Sequence, residues 1–84
     1  MHISVAGLLN DLAGKVAGVG PGKSLSDKVA QASADFAAHN IASACSRLQG
    51  FLNEVRAQTG KKIVAAVAAS LTSDAQNIRT ALAC

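Results

Sequence analysis

The sequence has no tryptophan, no tyrosine, two phenylalanines, one proline and two cysteines in 84 residues. Without rings to stack on, sugar recognition by aromatic faces and single-strand nucleic-acid binding are both disfavoured. Acidic residues are also few. The five carboxylates, Asp11, Asp27, Asp35, Glu54 and Asp74, fall on polar faces of predicted helices and read as solubility charges. They are outnumbered by eight Lys and Arg, which gives a net charge of +3. These cations are scattered from Lys15 to Arg79 with Lys61-Lys62 as the one adjacent pair, the pattern of a solvated surface rather than a nucleic-acid stripe. Long apolar runs are missing too. The charge-free stretch at residues 63–73 is far short of the ~20 residues that span a bilayer, so membrane insertion is not expected. The opening MHISVAGLLN has neither a basic segment nor a small-residue cleavage pattern, so no intact signal peptide is present in this chain. β-Branched residues occur singly and never alternate, which removes the strand signal.

What remains is a chain in which 50% of residues are hydrophobic, many of them alanine. Small side chains at helical spacing suit helices packed at close range. The central stretch is IASACSRLQGFLNEVRAQTGKK, residues 41–62. There Ile41, Ala44, Cys45, Leu48, Phe51, Leu52 and Val55 recur at steps of three and four, and every other apolar stripe is expected to pack against this one. Gly60 is placed to end that helix in a left-handed conformation. Before it, Val5, Leu8, Leu9, Leu12, Val16 and Val19 mark a first helix, closed by the loop GVGPGKS at residues 18–24. Leu25, Val29, Ala32 and Phe36 mark a second, with Ser24 or Ser26 as its cap and Asp27 near its positive end. Asn40 is expected to act as a left-handed cap or N-cap between the second and third helices. The last stripe is Ile63, Val67, Leu71, Ala75, Ile78 and Leu82, in a helix starting at Ile63 or Val64. The expected fold is all-α: one domain, residues 1–84, forming a compact antiparallel four-helix bundle with helices near 4–19, 24–38, 41–59 and 64–82.

No catalytic constellation is visible, and the chain is not expected to be an enzyme. Residues 17–24, AGVGPGKS, loosely fit a phosphate-binding loop with Ala17 in place of the first glycine. Such a loop needs a strand running in and a helix starting at the lysine, and here a helical stripe runs in. No acidic partner for Mg²⁺ follows an apolar strand, so no nucleotide is expected and Lys23 is assigned to water. His2 and His39 stand 37 positions apart without converging thiolates or carboxylates, so no metal site is assigned. No cofactor is implied.

Cys45 lies on the apolar face of the third helix and Cys84 just past the fourth. In an antiparallel pair the start of one helix neighbours the end of the next, so the two can meet. A bridge would close a loop of about 40 residues and contribute roughly 4 kcal/mol in the chain-entropy model. The other reading is a buried free thiol at Cys45 and a frayed one at Cys84. An unpaired exposed terminal thiol is a liability, which favours the bridge, and a stable bridge belongs to an oxidising compartment. For so small a core, which buries only roughly 60–65% of the unfolded surface, such a staple matters.

Residues 45–63, CSRLQGFLNEVRAQTGKKI, resemble the FIMAH-type domain, a small helical module at the C-termini of bacterial secreted and surface proteins. The family pattern is a Leu, then Phe-Ile-Asn-x-Val, then Gly-Lys-Lys-[IL]. Here it reads Leu48, Phe51-Leu52-Asn53-Glu54-Val55 and Gly60-Lys61-Lys62-Ile63. The ending AQNIRTALAC, residues 75–84, is similar as well, including the terminal Cys of many members. Leu52 replaces the usual Ile, and Val64 stands where Ser or Thr often caps the last helix. The resemblance covers about half the chain and brings no catalytic residues with it. It implies an extracellular, non-catalytic accessory module, a spacer or docking domain of a longer secreted protein, whose partner would be a protein or a cell-surface polymer. The competing expectation is a free-standing small basic protein binding an anionic partner such as nucleic acid or an acidic polymer.

Overall fold

The computed structural model describes residues 4–20 and 23–84. Four helices account for most of them: α1 (Val5–Val16), α2 (Ser24–Ala37), α3 (Ile41–Gln58) and α4 (Ala65–Ala81). Each helix end has a chemical cause. The Ser4 hydroxyl accepts a hydrogen bond from the Gly7 amide at 3.0 Å and caps α1. α1 stops at Val16 rather than near residue 19, because Ala17 turns to ψ 117° and Gly18 to φ 76°. Val19 still reaches the core edge from this non-helical turn.

The cap expected for α2 is not the one used, and of the two roles expected for Asn40 it takes the N-cap. Lys23 occupies the N-cap of α2, and no side chain closes it. Ser24 is the first helical residue, and its hydroxyl goes to another helix. At the far end of α2 the left-handed residue is His39, φ 62°, and not Asn40. Its amide donates to the Phe36 carbonyl at 3.0 Å, and the Asn40 amide donates to the Asp35 carbonyl at 2.8 Å. These are the two bonds of a Schellman stop. Asn40 is the N-cap of α3, with no side-chain cap bond.

Gly60, φ 79°, ends α3 as its spacing suggests. The Lys61 and Ile63 amides both donate to the Gln58 carbonyl, and the Gly60 amide donates to the Ile63 carbonyl, so residues 58–63 form a tight knot. Ile63 is therefore buried from a loop and not from a helix. Val64, 66% exposed, precedes α4, which begins one residue later than expected. The last turn of α4 repeats the Schellman pattern with Ala83, φ 61°, in the left-handed position.

Packing is a ring. α1 lies against α2 and α4, and α3 lies against α2 and α4, while the diagonal pairs make no close backbone approach. The central stripe on α3 is thus shared by two neighbours rather than three, and α1 reaches it only through the common core. Cross-helix contacts show an up-down-up-down order. Ser24 at the start of α2 meets Glu54 near the end of α3, and Lys15 at the end of α1 meets Ser70 in the first half of α4. Leu9, Leu12, Leu25, Val29, Leu48, Phe51, Val55, Leu71 and Ile78 are among the fully buried residues of one continuous cluster, with Phe51 its largest member. Burying such side chains is the main term holding the fold. α2 and α3 pair most extensively, with Ala32 and Ala44 fully buried.

Candidate functional site

Two regions concentrate chemistry. The first is the covalent and backbone fastening at the end of α4. Cys45 and Cys84 are joined by a disulfide, 39 positions apart in sequence and 5.8 Å apart at Cα. Cys45 is partly buried at the core edge, and Cys84 is exposed. The Schellman turn makes the meeting possible. The Ala83 amide donates to Thr80 at 3.1 Å and the Cys84 amide to Arg79 at 3.0 Å, folding the last two residues back towards the start of α3. Cys84 would otherwise continue along the α4 axis, away from Cys45.

The second region is the end of the bundle where α1 and α3 finish and α2 and α4 begin. All five lysines of the chain sit there. Lys15 is in the last turn of α1, Lys23 caps α2, and Lys28 is one turn in. Lys61 and Lys62 form the tip of the α3–α4 knot, held outward because Gly60 and Ile63 on either side are anchored. Arg56 in the last turn of α3 joins them. Cations scattered along the sequence are gathered in space, a clustering that no local pattern displays.

Two of these lysines are engaged. Lys15 pairs with Asp74 and also donates to the Ser70 hydroxyl at 3.2 Å. Lys28 donates to Glu54 Oε1 at 2.7 Å and to Ser24 Oγ at 3.1 Å, while the Ser24 hydroxyl donates to the same Glu54 oxygen at 2.7 Å. The Glu54 side chain is only 17% exposed, so it is not the solvated charge its sequence position suggested. Burial pushes its carboxyl up, but the hydrogen bonds from Lys28 and Ser24 and the Lys28 charge together hold it below its ordinary value. An ionised, doubly bonded carboxylate is a poor base, so this trio acts as a clamp between α2 and α3 and not as an activated serine. Asp74 and Asp35 are also tied across helices, the latter to Arg47 at 3.4 Å. By contrast, Lys23, Arg56, Lys61 and Lys62 are exposed and in no ion pair among the described residues.

Residues 17–20 leave a helix, and Lys23 precedes α2, while Pro21 and Gly22 lie outside the described residues. The Ser24 hydroxyl, which would face Mg²⁺ in a phosphate loop, is committed to Glu54. His39 is exposed at the end of α2, and His2 lies outside the described residues. Among the described residues, no three His, Cys, Asp or Glu side chains converge as a metal site would require. Nor is any helix long and apolar enough to cross a membrane. The concavities are open grooves. One of about 560 Å³ runs between α2 and α3 from Lys23 to Arg47, and one of about 440 Å³ lies between α3 and α4 over Ala65, Ala68 and Ala69.

Comparison with characterised proteins and with solved structures finds no match. A family model does match: that of the FIMAH domain, over residues 5–80, which takes in all four helices almost entirely. The four-helix ring, the Gly60-Lys61-Lys62-Ile63 knot and the buried Phe51 are thus the form that this family's sequence takes here, and the chain belongs to the FIMAH domain family.

Proposed function

We propose that this chain is a non-catalytic accessory module of a secreted bacterial protein, working outside the cell as a spacer or docking domain. The observation that carries the reading is the Cys45–Cys84 bridge, which fastens the end of α4 to the start of α3. A disulfide of this kind persists in oxidising surroundings and is removed in the cytosol. Membership of the FIMAH family, whose domains occur in secreted and surface proteins, is compatible with the same location. The non-catalytic part is supported by the state of the polar groups: both serine–lysine–carboxylate trios among the described residues, Ser24–Lys28–Glu54 and Ser70–Lys15–Asp74, are consumed as ties between neighbouring helices.

The test uses the protein from its native cells. Medium, surface and cytoplasmic fractions are alkylated before lysis is complete, and the protein is then digested without reductant. The expected result is recovery from the surface or medium with a cross-linked Cys45–Cys84 peptide and no alkylated cysteine. Recovery from the cytoplasm with both cysteines alkylated would overturn the reading.

A further inference from the structure

We propose that the tip of the bundle around Val64 seats on an anionic lipid surface, with Val64 set among the headgroups and Lys61, Lys62 and Arg56 on the lipid phosphates. The inference deepens the module reading by naming what the module docks on, and it rests on that reading only for the place where the two meet. The contact is with the surface and spans nothing.

Its first support is a side chain that the fold itself does not need. Val64 is the one large hydrophobic residue left exposed among the described residues, at 66%. It also holds the N-cap of α4, where no side chain closes the helix and where valine is among the poorest choices. The same residue therefore costs stability twice, as uncovered apolar surface and as a missing cap. Its direction is built in. Ile63 is buried and Val64 follows it in extended backbone, φ −68° and ψ 149°, so the two side chains point to opposite sides. The apolar surface continues beyond it: Ala65 and Ala66 are exposed, and Ala66 and Val67 line a mostly apolar hollow of about 350 Å³ with Val19 and Leu71.

The second support is the charge around it. Lys61 and Lys62 precede Val64 on the hydrogen-bonded knot of residues 58–63, and Arg56 lines the adjoining groove with Ala65. All three are exposed and in no ion pair among the described residues. Lys15 does not count towards the set, because it shares a cleft with Asp74 and Asp11. Cations alone do not choose an anion; the apolar residues beside them do. A soluble polyanion would meet the cations and leave Val64 in water, whereas a lipid surface offers phosphates and, just beneath them, an apolar layer. A specific protein partner needs roughly 800 Å² on each side, more than a tip of a few residues presents. The fixed backbone of the knot keeps the ordering cost of seating low.

The chain has no tryptophan, so Val64→Trp places a single fluorophore at the tip. The oxidised variant is titrated with vesicles of equal parts phosphatidylglycerol and phosphatidylcholine at about 50 mM salt, where surface charges are little screened. The same titration is repeated with lipid brominated near the top of the acyl chains. The expected result is a blue-shifted emission that the brominated lipid quenches. In sedimentation with the same vesicles, joint Lys61→Gln and Lys62→Gln substitution should weaken binding about 25-fold, from about fivefold per cation near an anionic surface. Val64→Ser should weaken it about tenfold, the scale of withdrawing one valine from an apolar layer. The same substitution should raise the melting temperature, since serine caps α4, which separates loss of binding from loss of fold. The proposal is overturned if the native chain does not bind these vesicles, if Val64→Trp binds without a blue shift, or if Val64→Ser binds as tightly as the native chain. Poly(glycerol phosphate) or polyglutamate bound as tightly as the vesicles would also overturn it, because charge alone would then suffice. Such a failure leaves the module reading standing, because fractionation and alkylation judge that reading independently.

Discussion

Reduction of the Cys45–Cys84 bond should lower the unfolding temperature by about 20 °C. The bridge closes a loop of 39 sequence steps. In the chain-entropy model that removes about 13 cal/mol/K from the unfolded ensemble, or about 4 kcal/mol at 25 °C. An 84-residue domain has an unfolding entropy of about 180 cal/mol/K near its midpoint, so each kcal/mol moves that midpoint by about 5–6 °C. Local structure acts in both directions. Ala83 is held at φ 61°, a conformation that costs a residue with a Cβ roughly 1–2 kcal/mol, and its relaxation once the bridge is cut offsets part of the loss. Against that, the bonds from Ala83 to Thr80 and from Cys84 to Arg79 fray. Leu82, buried at the same turn, then loses its cover. The assay is thermal unfolding followed at 222 nm with and without reductant, repeated on a Cys45→Ser, Cys84→Ser double variant that reductant should not affect. A shift below about 5 °C would refute the reasoning, since the bridge would then be closing a loop whose ends already stay together without it.

Phe51→Ala empties the largest fully buried site and should cost about 3–5 kcal/mol in denaturant titration; a loss below about 1 kcal/mol would make that ring peripheral. Gly14 lies inside α1 with open space where a Cβ would sit, so Gly14→Ala should raise stability by about 0.5–1 kcal/mol, seen as a higher melting temperature. Gly20→Ala should do the reverse, because Gly20 has φ 78° and its Cβ would come within 2.9 Å of Leu25 Cδ1. Glu54 is held below its ordinary value of 4.5, so the stability it contributes is complete above that value and is lost as pH falls through its lower folded value. Glu54→Gln should flatten the decline in melting temperature over that acid window, and an unchanged slope would show that the clamp contributes nothing. Ala83→Gly should raise the melting temperature of the oxidised protein by a few degrees, through relief of the left-handed strain.

Sequence alone determined the elements. Apolar residues at steps of three and four are a local property, and they marked four helices and most of the buried side chains, from Leu9 to Ile78. Gly60 was legible because only glycine takes φ 79° without strain. His39 and Ala83 were not, because neither residue type announces a left-handed conformation; each is held there by amides reaching back to the preceding turn. Ile63 kept the helical spacing yet is buried from a loop, since the hydrogen bonds of residues 58–63 bend the chain before α4 starts. Charge was the least legible. Along the chain the cations are dispersed, and each carboxylate looks like a solvated charge. Only the up-down-up-down ring brings the end of α1, the start of α2, the end of α3 and the start of α4 to one place, so only tertiary structure could gather all five lysines on one face. The same ring turns Glu54, Asp35 and Asp74 into cross-helix ties, because the partner of each stands at least 12 positions away and meets it only after the helices pack.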